Sequence, residues 1–434
     1  MSPVAIAQQY LPPRPPQGQK PDPEVVKAAK QRYRILVEQS AQSRLLRASE
    51  SPRQLQEVMV DFWFNHFNVF ANKGLTRLWV GSYEASVIRP QSLGNFRQLL
   101  GATARHPAML FYLDNWLNTA PDSPGARGRL KGLNENYARE LMELHTLGVN
   151  GGYTQQDVVT LARILTGWGL CQDFGRQLAA IADPSGFCFD SRRHDFSDKV
   201  FLGQRIKGSG IAEGEQALDI LARSPATAHH LSYQLAQYFV ADQPPAALVD
   251  RLAQRFIDTH GNIQAVLNTL FHSPEFWDTK YYNAKFKTPY QYVVSALRAT
   301  DVSVQNLRPI LGTLQQLGMP LYGCQTPDGY KNTQAAWLNP DAMTRRLSFA
   351  TALASGRLPL NQVPVNPDTP LLPTPTMPPA MGVPSPQSGQ TIDPQQLRIT
   401  LGNPFTTQTQ AAIANSPASL RAALMLGSPE FMRR

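Results

Sequence analysis

Apolar residues recur every three or four positions along most of the chain, starting near residue 24. This spacing is typical of amphipathic helices, and short breaks rich in Ser, Pro and Gly separate the segments. Asp22 followed by Pro23 predicts the start of the first long helix, and Thr154 with Asp157 predicts a capping box. The pattern therefore predicts a mainly α protein folded as a multi-helix globular bundle.

Three segments depart from helical spacing. Residues 1–23 are rich in Pro and Gln and predict an extended or disordered tail, and alternating residues near 187–206 predict a small β-hairpin excursion. The proline-rich residues 358–395 predict a linker or a strap along the surface. The helical main domain then spans 24–357, and a C-terminal helical segment, 396–434, is expected to dock on it.

The reason to expect docking is the apolar sequence "SLRAALMLGSPEF" near the C-terminus. Exposing Leu420, Leu424 and Leu426 would cost about 0.025 kcal/mol per Å² of apolar surface. We therefore expect these side chains to be covered by the main domain.

Composition bears on location and on the class of partner. Only 17% of the residues are charged, and 36 are proline, which suits an exported protein better than a cytosolic one. The start lacks the charged and apolar regions of an export leader. Because its Pro- and Gln-rich sequence resembles the tail of a mature protein, we expect a periplasmic or secreted protein whose leader has been removed. A cytoplasmic protein is the alternative. No apolar run reaches the roughly 18 residues of a transmembrane helix.

The net charge of +9 arises from basic residues that are dispersed along the sequence. Strand-binding grooves combine a basic stripe with aromatic residues, and no such stripe is present, so nucleic acid is not an expected partner. Three cysteines are present, and Cys171 and Cys188 are expected to form a local disulfide if the protein is exported. Cys324 would then be a free thiol.

The segment "NENYARELMELHTLG", residues 134–148, reads as one helix with a strongly polar side. Glu140 falls at the edge of its apolar stripe, so we expect a partly buried carboxyl bonded to Arg, Asn or a backbone amide. Such a group is either a functional acid or a structural anchor. His145 falls on the apolar side and is expected to be a satisfied core histidine, as is His66 in the preceding apolar helix.

Further polar residues gather at the breaks between apolar helices, where functional side chains are commonly held. We expect these segments to meet in one polar cleft. Its candidate catalytic residues are Glu140 as acid/base, Asp195 or Asp114 as the second carboxylate, and His194. Its candidate substrate-binding residues are Asn115, Asn134, Asn136, Arg139 and Lys199. The alternative is a purely structural polar network that connects the helices.

Several blocks together resemble a large bacterial family labelled domain of unknown function 1800. They are "RQLQEVMVDFWFNHFNVF", "IRPQSLGNFRQLL", "HPAMLFYLDN", "NENYARELMELHTLGVNGGYTQQDVVTLARILTGW", "HDFSDKVFLG" and the paired "SPEF" strings. The likeness covers roughly residues 40–350 and the C-terminal tip. It implies a helical, often exported bacterial protein, and it implies no particular activity. The usual Leu/Arg-rich opening of family members is missing from this chain.

Three functions fit these observations. The first is a hydrolase or lyase that uses paired carboxylates on an envelope or extracellular polysaccharide. The second is a non-enzymatic, envelope-associated adaptor that binds a glycan or a protein, and the third is a metal-dependent oxidoreductase that uses His66, His145 or His194. The sequence lacks a nucleophile elbow, a His-Glu-x-x-His motif, a phosphate loop and a dinucleotide fingerprint. It specifies no cofactor, metal or oligomeric state.

Overall fold

The computed structural model of the chain describes residues 1–12, 15, 19–171, 184–361 and 391–434. The described residues form two compact units. Unit 1 contains residues 1–44, 51–282 and 322–332, and unit 2 contains residues 45–50, 283–321 and 333–434 as far as they are described. This division is not the one expected from the sequence, because unit 2 takes in residues that were assigned to the main domain at 24–357.

Helices dominate both units, as the apolar spacing predicts. The helices of the first part of the chain are α1 (Pro3–Tyr10), α2 (Pro23–Glu50), α3 (Gln54–His66), α4 (Thr76–Tyr83), α5 (Arg89–Gln91), α6 (Phe96–Arg105), α7 (Pro107–Tyr112), α8 (Asn136–Glu143), α9 (Gln155–Ile164), α10 (Ile211–Arg223), α11 (Pro225–Phe239), α12 (Ala246–Asp258), α13 (Ile263–Phe271) and α14 (Pro274–Trp277). Those of unit 2 are α15 (Pro289–Thr300), α16 (Arg308–Gln316), α17 (Gln334–Trp337), α18 (Pro340–Ala354), α19 (Pro394–Leu401), α20 (Thr407–Ala414) and α21 (Ala418–Leu426). No helix in the described ranges combines the length and the apolar character needed to cross a membrane.

Helix starts follow the capping signals of the sequence. The side chain of Asp22 accepts a hydrogen bond from the Glu24 amide at the start of α2, and Thr154 and Asp157 form a complete capping box at the start of α9. Ser273 caps α14. In the second "SPEF" string, Ser428 accepts a hydrogen bond from the Phe431 amide, although only turns follow it.

The chain begins with a helix where the sequence predicts an extended or disordered tail over 1–23. The Ser2 side chain caps α1, and Pro3 occupies its first turn. Val4, Ile6 and Ala7 are buried, and Pro3 accepts a hydrogen bond from the indole of Trp79 in α4. The prediction is wrong for residues 3–10, because their short apolar run packs against α4 and so forms a helix. Residues 13, 14 and 16–18 lie outside the described residues.

The helix predicted over 134–148 is shorter in the structure, where α8 spans Asn136–Glu143. The amides of Leu144 and His145 both point at the carbonyl oxygen of Glu140, so the last turn widens. The hydroxyl of Thr146 donates to the carbonyl oxygen of Leu141. These local bonds end the helix before His145.

Three of the four strands in the described residues lie within 187–206, where the sequence predicts a β-hairpin excursion, and the fourth, at 168–170, lies outside that range. Strand β1 (Trp168–Leu170) pairs antiparallel with β2 (Phe187–Phe189), and β3 (Lys199–Phe201) pairs antiparallel with β4 (Gln204–Ile206). A two-residue turn with positive φ at Leu202 and Gly203 joins β3 to β4. Cys171 and Cys188 form the predicted disulfide beside the first sheet, and Cys324 is free and buried.

The C-terminal segment docks within unit 2. Helix α21 packs on α18, and α19 packs on α21 and α15. The backbone of residues 432–434 pairs with that of residues 285–287. Leu426 is fully buried as expected, whereas Leu420 remains 45% exposed because it lies on the outer side of α21. Residues 362–390, most of the predicted strap, lie outside the described residues.

Candidate functional site

His194 and Lys199 belong to a buried ion network centred on Glu213. All three side chains are fully buried. The Glu213 carboxylate accepts hydrogen bonds from His194 Nε2 at 2.8 Å and Lys199 Nζ at 2.6 Å. It also accepts from the backbone amides of Ser209 and Gly210. Burial raises the pKa of Glu213, but these bonds and the charge of Lys199 outweigh burial and lower the pKa.

The second ring nitrogen of His194 is also engaged. Nδ1 lies 2.8 Å from the carbonyl oxygen of Thr166, so both ring nitrogens face acceptors and all the bonds form when both carry hydrogen. The network thus fastens the "HDFSDK" loop to α10. Sequence reasoning missed Glu213, although an acidic residue at the third position of a helix after a glycine is a signal for this kind of capping.

Asp195 is the second carboxylate predicted for catalysis, and it has several partners. Its side chain accepts from Arg163 Nε at 2.7 Å and from the amide and hydroxyl of Ser197 at 2.9 Å and 2.7 Å. Burial raises the pKa of Asp195, but these hydrogen bonds, together with the nearby charge of Lys199, lower it to about 2. The carboxylate is held ionised by bonds that position the loop.

Asp114 and Asn115 serve different structural purposes. Asp114 adopts a left-handed backbone conformation, and its carboxylate lies 2.7 Å from Lys73 Nζ. The fully buried Asn115 donates to the carbonyl oxygen of Trp168 at 2.9 Å. The buried Asn118 donates to Asn115 and accepts a hydrogen bond from the Asn134 amide. Asn118 is not among the candidate site residues, although it belongs to the same amide-rich segment as Asn115.

The start of α8 uses its polar residues as caps and surface pairs. Asn134 accepts from the Asn136 amide, and the Asn136 side chain donates to the carbonyl oxygen of Leu113. These bonds join the start of α8 to Leu113, the residue before Asp114. Arg139 donates to Glu135 and to Gln155, each at 3.0 Å.

The predicted site residues separate along α9. Arg139 contacts Gln155 at the N-terminal end of α9, while Asp195 contacts Arg163 near its C-terminal end. Eight helical residues span roughly 12 Å. The start of α8 and the "HDFSDK" loop therefore contact opposite ends of one helix.

Glu140 differs from these carboxylates because it has no fixed partner. The residue is half-buried, as predicted, but its carboxyl makes no hydrogen bond or ion pair with any residue in the described part of the chain, so the predicted bond is not formed. Burial raises the pKa of Glu140 most, and the charge of Glu143 raises it further; Arg139 lowers it, and Asp328 raises it by the smallest of these effects. Glu140 therefore holds its proton more tightly than an ordinary glutamate.

Asp328 reaches this site on the loop 322–332, which belongs to unit 1 although the sequence on both sides of it belongs to unit 2. Asn65 at the end of α3 holds the loop through two hydrogen bonds with the backbone of Tyr330, and Asn68 donates to the carbonyl oxygens of Cys324 and Thr326. Gly329 has a positive φ and lies so close to Asn65 that a side chain there would clash. These contacts explain why α3 carries asparagines at its end.

The charge on Asp328 is stabilised within the same loop. Lys331 Nζ lies 2.6 Å from its carboxylate. Burial raises the pKa of Asp328, but the hydrogen bonds from Lys331 and Thr326 outweigh burial and lower it. Sequence reasoning missed Asp328, because nothing in "YGCQTPDGYKN" indicates that it would face a helix almost two hundred positions earlier in the chain.

Two tyrosines lie close to Glu140. Burial raises the pKa of Tyr112, and the charges of Cys324, Glu140 and Asp328 add to the effect. The Tyr112 hydroxyl donates to the carbonyl oxygen of Gln325 at 2.7 Å. Tyr153 donates to Glu143 at 3.5 Å, a long bond, and burial together with the charges of Glu143 and Glu140 raises the pKa of Tyr153. We refer to Glu140, Glu143, Asp328, Tyr112 and Tyr153 as the α8 carboxylate cluster.

His66 and His145 are buried, as the sequence predicts, and they are neighbours. His66 Nε2 lies 3.1 Å from the carbonyl oxygen of His145, and burial lowers the pKa of His66 to about 3, with a further contribution from His230. His145 Nε2 is buried without a hydrogen-bond partner, so it is not the satisfied core histidine that was expected. Among the residues that the structure describes, no group of three or more His, Cys, Asp or Glu side chains has a geometry that could hold a metal.

A polar cleft of about 420 Å³ lies elsewhere in unit 1, between the β3–β4 turn and α10. Its lining residues are Leu202, Gln204, Gln216, Asp219, Ile220, Arg223, Ser224 and Pro225. None of the site residues predicted from the sequence lines it.

Comparison with known proteins identifies a family but no characterised relative. A search of curated proteins gave no match, and a search of solved structures gave none either. The family model described as "Protein of unknown function (DUF1800)" matches residues 4–433, nearly the entire chain. The chain therefore belongs to this family.

Proposed function

We propose that this protein is a hydrolase or lyase that acts on a polysaccharide of the cell envelope or the extracellular space, with Glu140 as its general acid. The observation that supports this proposal most strongly is the unpaired, half-buried carboxyl of Glu140 beside two further carboxylates. A general acid must keep its proton at the working pH, and the raised pKa of Glu140 serves that purpose.

Asp328 is the partner we assign as general base. Its pKa is lowered, while that of Glu140 is raised. Two nearby carboxyl groups with opposite pKa shifts are the arrangement that acid/base catalysis requires. In hydrolysis, Asp328 would take a proton from the attacking water while Glu140 gives its proton to the leaving oxygen of the glycosidic bond.

Glu143 lies three residues from Glu140 in α8, and residues at this spacing have Cβ atoms about 5–6 Å apart. The two catalytic carboxyl groups of glycosidases are roughly 5–9.5 Å apart, so a carboxylate at this helical spacing lies within the same range. Glu143 thus adds negative charge close to Glu140, which favours the protonated acid. The same charge would stabilise a positively charged, oxocarbenium-like transition state.

An extracytoplasmic location is part of the proposal. The disulfide between Cys171 and Cys188 supports it, because disulfides persist mainly in oxidising compartments. The low content of charged residues agrees with the same location.

The test measures cleavage by the purified full chain on a panel of peptidoglycan, uronic-acid polymers and neutral glucans. New reducing ends report cleavage by a hydrolase or by a lyase. Ultraviolet absorbance of an unsaturated product identifies a lyase. Glu140→Gln should lower the rate by about 10²–10⁴. Its matched control is Glu135→Gln, one turn earlier in the chain at a surface ion pair with Arg139, which should leave the rate unchanged.

Melting of both variants separates catalysis from folding. Both unfolding free energies should stay within about 0.5 kcal/mol of the parent value, because neither change breaks a buried bond. Absence of cleavage on the entire panel, or full activity of Glu140→Gln, would contradict the proposal.

The adaptor function is the second candidate, and an exposed aromatic surface favours it. The side chains of Trp277 and Tyr282 are 74% and 75% exposed. The Trp277 ring ends an edge-to-face series with Phe271 and Phe276, and its Nε1 donates to the carbonyl oxygen of Phe271 at 2.7 Å, so it is held in place. Binding to a polysaccharide of the panel without cleavage, lost in Trp277→Ala, would favour this function.

A further inference from the structure

A second cleft lies in unit 2, between the three C-terminal helices α19, α20 and α21. Its volume is about 200 Å³. Drug-sized ligands occupy pockets of roughly 300–1,000 Å³, so this cleft suits a smaller molecule. It lies in a different compact unit from the α8 carboxylate cluster, and it is independent of the function proposed above.

The floor of the cleft is apolar. Phe405, Ile413 and Met425 line it, and each of these residues is at most 8% exposed. They come from the loop before α20, from α20 and from α21. Burying a short hydrocarbon against them would gain about 0.8 kcal/mol per CH₂ group.

The rim of the cleft is cationic. The exposed Arg398 of α19 lines it and makes no hydrogen bond or ion pair with any residue that the structure describes. Arg421 of α21 is fixed by hydrogen bonds from Nε and Nη2 to the carbonyl oxygens of Ser416 and Ala414, which leaves Nη1 as a donor. No acidic side chain is among the described residues that line the cleft.

Hydrogen bonds hold the lining of the cleft in place. Gln410 of α20 donates to the carbonyl oxygen of Phe405. The start of α20 is held by Glu430, which accepts from the Thr406 amide at 3.0 Å and from its hydroxyl at 2.7 Å. The bonds of Glu430 thus fix the start of the helix that carries Ile413 of the floor and Gln410.

From this arrangement we infer that the cleft binds a small organic anion, a carboxylate or phosphate monoester with a short apolar body. The anionic head pairs with Arg398 and with Nη1 of Arg421, where guanidinium groups offer charge-assisted hydrogen bonds. The apolar body lies on Phe405, Ile413 and Met425. Arg421 is prearranged by its two carbonyl contacts, whereas Arg398 moves to meet the ligand.

Calorimetric titration of the full chain at low salt tests this inference. The ligands are hexanoate and hexyl phosphate, with hexanol and hexylamine as the neutral and cationic analogues of the same apolar body. Both acids should bind in a saturable manner, and the acid that binds more tightly identifies the preferred head group. The alcohol and the amine should bind at least about tenfold more weakly, because they cannot accept hydrogen bonds from two guanidinium groups.

Two variants locate the binding. Arg398→Ala should weaken the binding of both acids about three- to tenfold. Ala414→Phe should abolish binding, because the larger side chain fills the cleft while both arginines are kept. Arg345→Ala removes an exposed arginine of the same unit that pairs with Asp341 on α18, and it should have no effect. Unchanged melting curves confirm that each variant is folded.

Three results would overturn the inference. They are the absence of saturable binding by either acid, equal binding of the alcohol or the amine, and affinities that are unchanged in both Arg398→Ala and Ala414→Phe. None of these results depends on whether the α8 carboxylate cluster cleaves a polysaccharide.

Discussion

Glu213 and Glu140 are both glutamates within helices of unit 1, but their surroundings are opposite. The fully buried Glu213 accepts hydrogen bonds from the ring of His194, the ammonium group of Lys199 and two backbone amides. The half-buried Glu140 accepts none from the described residues and has two carboxylates as neighbours. The pKa of the first is lowered and that of the second is raised.

The comparison shows that burial alone does not identify a reactive carboxyl. Burial is the largest single influence on the pKa of both residues, and it acts in the same direction on both. The hydrogen-bond donors reverse the outcome at Glu213, where the charge is stabilised and used to hold a loop. At Glu140 no donor from the described part of the chain offsets burial, and the pKa stays raised.

The largest expected effect is on folding, at the buried network. Glu213→Gln should lower the unfolding free energy by about 3–5 kcal/mol, because the buried ammonium group of Lys199 loses the carboxylate at 2.6 Å and keeps only that of Asp195 at 3.9 Å. Denaturant unfolding of the purified variant gives this number.

The matched control for this change is Glu215→Gln in the same helix. Glu215 pairs with Arg97 and Arg105, but its side chain is 33% exposed. Glu215→Gln should lower the unfolding free energy by no more than about 1 kcal/mol. Equal losses at the two positions would show that Glu213 has no special structural role.

A smaller effect is expected at Asp195, and it depends on pH. The folded pKa of about 2 lies below the ordinary value of 3.8. The stabilisation is therefore complete above pH 3.8 and is lost as the pH falls through about 2. Asp195→Asn should lower the unfolding free energy by about 1–2 kcal/mol near neutral pH. This difference from the parent protein should vanish towards pH 2.

Unfolding free energies of both proteins across acidic pH measure this effect. Asp198→Asn is the control, because Asp198 forms an exposed pair with Arg205 in the same loop region. A difference between parent and Asp195→Asn that is independent of pH would show that the carboxylate charge is not what stabilises the loop.

The local features of this fold could be predicted from the sequence. The capping residues Asp22 and Thr154 and the alternation near 187–206 act over a few positions, so the sequence contains their signals directly. The partial burial of Glu140 followed from helical spacing alone. Whether Glu140 has a partner could not be predicted in this way, since the answer depends on which distant residues approach it.

Those distant residues are what sequence reasoning missed. Asp328 reaches Glu140 because Asn65 and Asn68 hold its loop, and a single sequence contains no sign of that pairing. Similarly, the polar loop around Asp195 predicts a catalytic carboxylate, whereas its partners Arg163 and Ser197 account for its position. A cluster of polar residues in the sequence indicates side chains that contact one another, and the structure decides whether those contacts are structural or catalytic.

The most direct test of the central claim is a titration of the glutamate carboxyl carbons by nuclear magnetic resonance. Selective ¹³C labelling of glutamate, with Glu140→Gln and Glu213→Gln to assign the two signals, gives both pKa values in the folded protein. The account predicts a midpoint for Glu140 above the ordinary value of 4.5 and a midpoint for Glu213 below it. A Glu140 midpoint at or below 4.5 would contradict the assignment of this residue as an acid.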